Sequence, residues 1–187
     1  PDDRAELFDE LPAGVVKRLL QQLSAEERKA TATILGYPEG TAGRVMTTEY
    51  VRLREGLSVG EALSKIRLSD EDKETIYYAY VTDDNRKLIQ VVSLRQLLFT
   101  IPDVLIRDIA SDRVLKARTE MRQEEVAQLM KRYDLIALPV VDREDRLVGI
   151  VTIDDVVDIL EEEATEDIQK LAGVSGGDEA ALSPPLV

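Results

Sequence analysis

The 187-residue chain has no cysteine, no histidine and no tryptophan. Without thiolate or imidazole it can hold no Cys or His metal site, no cysteine nucleophile and no Ser-His-Asp triad. A metal bound here must be a hard cation on oxygen ligands, of the Mg²⁺ or Ca²⁺ type. Basic residues are the minority, 24 against 37 acidic, for a net charge of −13. That balance argues against a nucleic-acid partner, because such binding rests on Lys and Arg neutralising phosphates. No run approaches the ~18–20 apolar residues needed to span a bilayer. The longest, Leu135 to Val141, is strand-sized. Lack of Cys rules out a disulfide framework and says nothing more about compartment. With 44% apolar and 33% charged residues, the composition is that of a globular protein with one good core or two small ones. The chain opens Pro1-Asp2-Asp3 with no initiator Met or signal pattern and closes Ser183-Pro184-Pro185-Leu186-Val187. It is therefore expected to be a piece of a longer protein.

Residues 1–35 read as helical, with Leu7, Leu11, Val15, Leu19 and Leu23 on one face and a break at Pro12 and Gly14. Ser24 followed by Glu27 predicts a capping box opening a further helix to Leu35. Gly36, Pro38, Gly40 and Gly43 then mark a loop and a domain boundary. Beyond it the sequence repeats. Thr47–Leu53 corresponds to Ser111–Ala117, each a short extended segment. A helix follows in both copies, around Val59, Ala62, Leu63 and Ile66, and around Val126, Leu129, Met130 and Tyr133. Two strands joined by a polar turn come next: Ile76–Val81 and Leu88–Ser93, then Leu135–Val141 and Leu147–Thr152. The closing helices are Leu94–Phe99 and Ile153–Leu160. The order is β-α-β-β-α twice, about 60 residues apart, and the two copies are expected to pack as one pseudo-symmetric α+β body.

Leu138-Pro139-Val140-Val141-Asp142 with Leu147–Asp155 resembles the second half of a CBS domain, and Tyr80–Asp83 with Leu88–Leu94 resembles it more loosely. Three further stretches are similar to the cytosolic part of the MgtE family of magnesium transporters. They are Ala42–Val51, Glu74–Tyr78, and Asp154-Asp155 running into Glu163–Leu171. The resemblance covers roughly residues 1–172 and implies a tandem CBS pair behind the last helices of an N-terminal α-superhelical domain. The implied boundaries are 1–40 for those helices, 41–105 and 106–160 for the CBS domains, and 161–187 for an acidic connecting helix and tail. Gly173, Gly176 and Gly177 are read as a flexible tail. The implied function is a non-catalytic regulatory domain on the cytoplasmic face of the cell membrane. It would act as a homodimer through its CBS domains and gate the pore domain of its own chain.

Charge is concentrated in one place. Asp154, Asp155, Asp158, Glu161, Glu162, Glu163, Glu166 and Asp167 put eight acids in fourteen residues with no base. At 100° per residue, Asp155, Asp158, Glu162 and Glu166 share a helical face, opposite a stripe of Val156, Val157, Leu160, Ala164, Ile168 and Leu171. Like charges at i,i+3 and i,i+4 repel, and acids late in a helix oppose its dipole. Such a face can be simply solvated, or it can await a divalent cation. The resemblance favours the cation and implies Mg²⁺ ligands at Asp155, Asp158, Glu163, Glu166 and Asp167, with Glu124 and Asp134 near the preceding helix and Asp2 and Glu6 from the N-terminal helices. Two positions depart from the family pattern: Arg122 stands in place of an acid and Arg44 in place of glycine.

CBS pairs also bind adenine nucleotides through a Gly-x-x-Thr/Ser-x-x-Asp pattern. Gly149, Thr152 and Asp155 fit it, so an AMP- or ATP-sensing module is the alternative, with Thr152 and Asp155 equally readable as a helix cap. Copy one offers Ser93 but has Gln90 and Gln96 at the other two positions. Asp83-Asp84 and Asp142–Asp145 read as hairpin turns, since they lack the ligand spacing of a calcium loop. Tyr77, Tyr78 and Tyr80 read as packing residues. An enzyme would have to run on carboxylates alone, and no acid sits in an apolar context that would tune it.

Overall fold

The computed structural model describes residues 2–68 and 75–177, without the side chains of Asp2, Glu6, Asp9, Glu10, Glu162, Glu163, Glu166, Asp167 and 171–177. Three helices lead: α1 (Asp2–Glu10), α2 (Ala13–Gln22) and α3 (Ala25–Leu35). Pro12, with φ −58°, takes the N-cap of α2 and ends α1 before it. The capping box is present: Glu27 N–H donates to Ser24 Oγ at 3.2 Å, and Ser24 N–H to Glu27 Oε2 at 2.9 Å. The expected leucine stripe is not the buried face. Leu7 is half exposed and no residue of α2 is buried, while Ala5, Phe8 and Ile34 go inside. The break at Pro12 resets the helical phase, so α1 packs on α3 through its own i,i+3 pair instead of continuing a stripe into α2.

The repeat follows as β1 (Val51–Arg54), α5 (Val59–Leu68), β2 (Tyr78–Thr82), β3 (Leu88–Ser93) and α6 (Leu94–Phe99). Its second copy is β4 (Ala117–Arg118), α8 (Gln123–Arg132), β5 (Ala137–Val141), β6 (Leu147–Thr152) and α9 (Ile153–Gly177). Each copy forms a three-stranded sheet with a parallel first pair and an antiparallel second pair. Leu53 lies opposite Val81 and Ala117 opposite Val140, which fixes the equivalence of the copies residue by residue. One-turn helices, α4 (Ala42–Val45) and α7 (Ile106–Ile109), precede the copies.

The leading turns are exchanged. Ala42 and Met46, ahead of copy one, lie in the apolar cluster of copy two with Val126, Met130, Leu138 and Val156. Ile106, ahead of copy two, lies in that of copy one with Val59, Leu53 and Leu97. A third cluster between the sheets holds Tyr80, Leu88, Ala137, Leu147 and Ile150. Separating the copies would expose all three, so they form one body. The exchange also carries the N-terminal helices across: Ala5 and Ile34 belong to the cluster of copy two.

Helix α9 departs from expectation. It runs 25 residues without a break, through Gly173, Gly176 and Gly177, which read in sequence as a tail. Glycine weakens a helix by only ~1 kcal/mol relative to alanine, and the next proline is Pro184. Its apolar stripe also differs. Val156 and Ile159 are buried, while Val157 is 48% and Ile168 67% exposed. Tyr77 likewise is exposed and not a packing residue; Tyr80 is fully buried.

Candidate functional site

Helix α9 is anchored at its start. Asp155 Oδ2 accepts the Thr152 N–H at 2.9 Å and the Thr152 hydroxyl at 2.7 Å, the capping geometry the sequence allowed. Val156 and Ile159 fix the helix against α8 through Val126 and Met130, which turns Asp154, Asp158 and Glu161 outward to solvent. Among the described residues none of these three acids has an ion pair. The opposite end of copy two is different. Asp145 binds Lys116 at 2.8 Å and Arg118 at 3.4 Å, Arg146 binds Asp142 at 2.7 Å and Glu144 at 2.6 Å, and Glu120 faces Arg143 at 3.7 Å. The Lys116 ammonium holds the Asp145 carboxyl below its ordinary range. Burial works against ionisation of Asp142, but the backbone and guanidinium of Arg146 prevail and its carboxyl also titrates low.

The other expected ligands are distributed. Glu124, in the first turn of α8, is bound by Arg122 Nε at 3.1 Å. Asp134, just past the C-cap Tyr133, adopts φ 50°, a left-handed conformation that Asp tolerates. Among the described residues no three carboxylates converge on a point that could hold a metal. The side chains of Asp2, Glu6, Glu163, Glu166 and Asp167 lie outside the described residues. What the structure contributes is the exposed acids Asp154, Asp158 and Glu161, without an ion pair among the described residues and offering oxygen only, the donor chemistry a hydrated hard cation takes.

The nucleotide pattern falls on the filled half of the molecule. Gly149 passes under Met46 and Thr47; a Cβ there would stand 2.5 Å from Met46 Sδ and 2.8 Å from Thr47 O. Thr47 and Ile150 exchange backbone hydrogen bonds of 2.8 and 3.0 Å across this point. Beside it the Tyr50 ring fills the space between the sheets. It stands edge-on to Tyr80, with centroids 6.2 Å apart, and donates its hydroxyl to Leu147 O at 3.2 Å.

The equivalent of Tyr50 in the other half is Val114, and there a cavity of about 120 Å³ opens, bounded by Tyr78, Tyr80, Val91, Val114, Leu135 and Pro139. The Tyr80 hydroxyl is buried without a hydrogen-bond partner among the described residues, and burial pushes its pKa well above the ordinary value. Gln90 and Gln96, the counterparts of Gly149 and Asp155, bond to α7 and the chain leading to β4 and do not line the cavity. The Gln90 amide donates to Arg107 O and Asp112 Oδ1, and the Gln96 amide to Ile109 O. Sequence reasoning missed the role of Tyr50, although aligning Thr47–Leu53 with Ser111–Ala117 places it opposite Val114.

The fold agrees with known proteins. The CBS domain family matches residues 42–103 and 106–162. The MgtE intracellular N domain matches residues 1–40. The magnesium transporter MgtE of Thermus thermophilus is 49% identical over 158 residues, 84% of this chain. The chain belongs to the MgtE family. Its α+β body is a tandem CBS pair behind an MgtE_N remnant. It spans 35% of the length of that Thermus transporter. A crystal structure of the cytosolic domain of the Mg²⁺ channel MgtE in complex with ATP is 44% identical, with a TM-score of 0.81 over 84% of this chain and 65% of that one. The soluble part of a magnesium transporter is 39% identical, with a TM-score of 0.84 over 87% and 64%. These relatives are a magnesium transporter, the cytosolic domain of a Mg²⁺ channel and the soluble part of a magnesium transporter. No helix among the described residues is long and apolar enough to cross a membrane.

Proposed function

We propose that this chain is the regulatory part of a magnesium transporter or channel. It would sit on the cytoplasmic face of the membrane, pair with a second copy through its CBS domains, and bias the pore of its own chain according to Mg²⁺. The observation that carries the reading is the contrast within the second CBS domain. Acids at the turn end are matched by Lys and Arg of the chain, whereas Asp154, Asp158 and Glu161 on α9 have no such match among the described residues. The proposed ligands are Asp155, Asp158, Glu163, Glu166 and Asp167, with Glu124 at the start of α8, Asp134 just past its end, and Asp2 and Glu6 from α1. Bound Mg²⁺ supplies a hard divalent charge that oxygen ligands take while keeping several waters. The α9 carboxylates repel one another by some tenths of a kcal/mol per i,i+3 or i,i+4 pair. Relief of that repulsion favours closely packed neighbours, and its return favours separation of α9 from whatever faces it.

The test is thermal stability and protease resistance of the chain between zero and ~20 mM Mg²⁺. A millimolar site adds about 2 kcal/mol at the upper end, a rise of several degrees in Tm. No change in either measurement ends the proposal. The triple variant Asp158→Asn, Glu166→Gln, Asp167→Asn is expected to lose most of the response and to be more stable than the wild type in chelator. Asp155 is kept in that variant because it caps α9.

A second reading, adenine-nucleotide sensing, is favoured by the cavity beside Tyr80. In the filled half an aromatic ring, Tyr50, stands against Tyr80, whose equivalent Pro139 lines this cavity together with Tyr80 itself, so a flat ring is the shape that fits. Stabilisation by AMP or ATP without metal, abolished by Val114→Phe, supports it. A response that survives Val114→Phe removes this cavity from the account.

A further inference from the structure

The first strands of the two CBS domains carry cations at matching positions. Leu53 and Ala117 are equivalent, so Arg52 and Arg54 correspond to Lys116 and Arg118. In the second domain both cations close on one carboxylate. Asp145, in the turn between β5 and β6, accepts Lys116 at 2.8 Å and Arg118 at 3.4 Å. The first domain has two such cations and no such acid, because Arg86 stands in the place of Asp145. The backbone is alike at the two points, with φ 66° at Arg86 and 62° at Asp145. One domain sets a negative charge between two positive ones, and the other adds a third positive charge.

Their surroundings gather these cations into one group. Arg86 donates to Leu147 O at 3.3 Å, the oxygen that also takes the Tyr50 hydroxyl at 3.2 Å. Burial raises the pKa of that hydroxyl, and the guanidinium groups of Arg86 and Arg52 act on it in the opposite sense. The Lys65 ammonium of α5 is pushed down, by burial first and then by Arg52 and Arg54. Among the described residues none of Arg52, Arg54, Lys65 and Arg86 has an ion pair. The chain as a whole carries −13. Like charges gathered in one place repel, and a bound anion removes that repulsion.

We infer that Arg52, Arg54 and Arg86, with Lys65 beside them, bind a soluble phosphate-type anion in the place that the Asp145 carboxylate takes in the second domain. The second domain is the template: an oxyanion lying between the two cations of the first strand and the turn. Three guanidinium groups exceed the charge of one carboxylate, and their planar forks match the oxygens of a phosphate, which carries up to two charges. A membrane surface is the less suited source of that group, because acidic lipids repel a chain of this net charge. The site lies at the turn end of the first domain, where Arg54 pairs with Thr82. It shares no residue with the acids of α9 or with the cavity beside Val114. It therefore stands whether or not α9 senses Mg²⁺.

Calorimetric melting of the whole chain in chelator tests it, with inorganic phosphate or pyrophosphate up to ~20 mM set against NaCl of equal ionic strength. A millimolar site raises Tm by several degrees at the upper end. Arg86→Asp reproduces the arrangement of the second domain, supplies the carboxylate from within the chain and is expected to abolish the rise. Asp tolerates the left-handed backbone at that point, as Asp145 shows. Arg52→Gln/Arg54→Gln is expected to lose the rise as well, and it carries the comparison if Arg86→Asp does not fold. A wild-type rise no larger than that in NaCl overturns the inference. So does an equal rise in wild type and variants, since phosphate would then act only through its general exclusion from protein surfaces. Binding to phosphatidylglycerol vesicles that Arg86→Asp abolishes, without any response to the free anions, would make the ligand a lipid headgroup and end the soluble-anion inference. All of these outcomes are read without Mg²⁺, so they decide the anion site separately from the sensing proposal.

Discussion

The two CBS domains share a backbone plan and differ in what it is used for. In the first, the closing helix α6 is six residues long, and its cap is the neutral pair Ser93 and Gln96. In the second, α9 is 25 residues long, and its cap is Thr152 with the acid Asp155. Gln90 in one strand has its counterpart in Gly149 in the other; Val114 beside one sheet corresponds to Tyr50 beside the other; Arg86 in one turn corresponds to Asp145 in the other. The frame is set by apolar positions that both copies keep. The other positions, free of that constraint, have diverged, leaving an open cavity between the sheets at Val114 where Tyr50 fills the equivalent space, and an acid helix on the second domain alone.

The sharpest break of this comparison is at Gly149. Gly149→Ala would bring a Cβ within 2.8 Å of a backbone oxygen, Thr47 O, in a strand held by two hydrogen bonds, so relief requires the strand to move. A loss of about 2–3 kcal/mol is expected. Gln90→Ala at the equivalent point removes two side-chain hydrogen bonds from a partly exposed residue and is expected to cost about 1 kcal/mol. Urea midpoints of the two variants check the ratio. Equal losses would mean that the halves are packed alike here, and the comparison would fail at its firmest point.

Tyr50 and Tyr80 sharpen it next, because the same deletion should have opposite signs. Tyr50→Phe removes a hydroxyl bonded to Leu147 O and is expected to cost about 1 kcal/mol. Tyr80→Phe removes a buried hydroxyl with no partner among the described residues and is expected to stabilise the ligand-free chain by about 1 kcal/mol. If Tyr80→Phe destabilises instead, its hydroxyl is already satisfied and the cavity loses its polar anchor.

How much of this the sequence displayed depends on the kind of constraint. Strands β3 and β6 and helix α6 have the boundaries read from alternation and caps, because Ser93 and Thr152 mark the change from period two to period 3.6. The acid run on α9 was legible as charge, and the matching of acids at the other end was not, since Lys116 and Asp145 lie 29 residues apart. The exchange of α4 and α7 between the domains left no local signal, and neither did the burial of Ile159 in place of Val157. Both follow from what packs opposite, which a period cannot encode.

The smallest effect belongs to the turns. Asp145 is held by Lys116 and Arg118, while its counterpart Arg86 donates to Leu147 O and has no ion pair among the described residues. A carboxyl whose folded pKa is depressed stabilises the fold fully above its unfolded value of about 3.9, and that contribution is lost as pH falls through the folded value. Asp145 and Asp142 both titrate low for this reason. The stability of the chain is therefore expected to decline from about pH 4 downward, with part of the slope due to this turn. Asp145→Asn should flatten the decline between about pH 4 and pH 2.5 while lowering stability slightly at neutral pH. Arg86→Gln has no depressed carboxyl to release and should leave the slope as it is. A flattening of equal size in both variants would mean that the slope does not originate in the Asp145 carboxylate and its two cations.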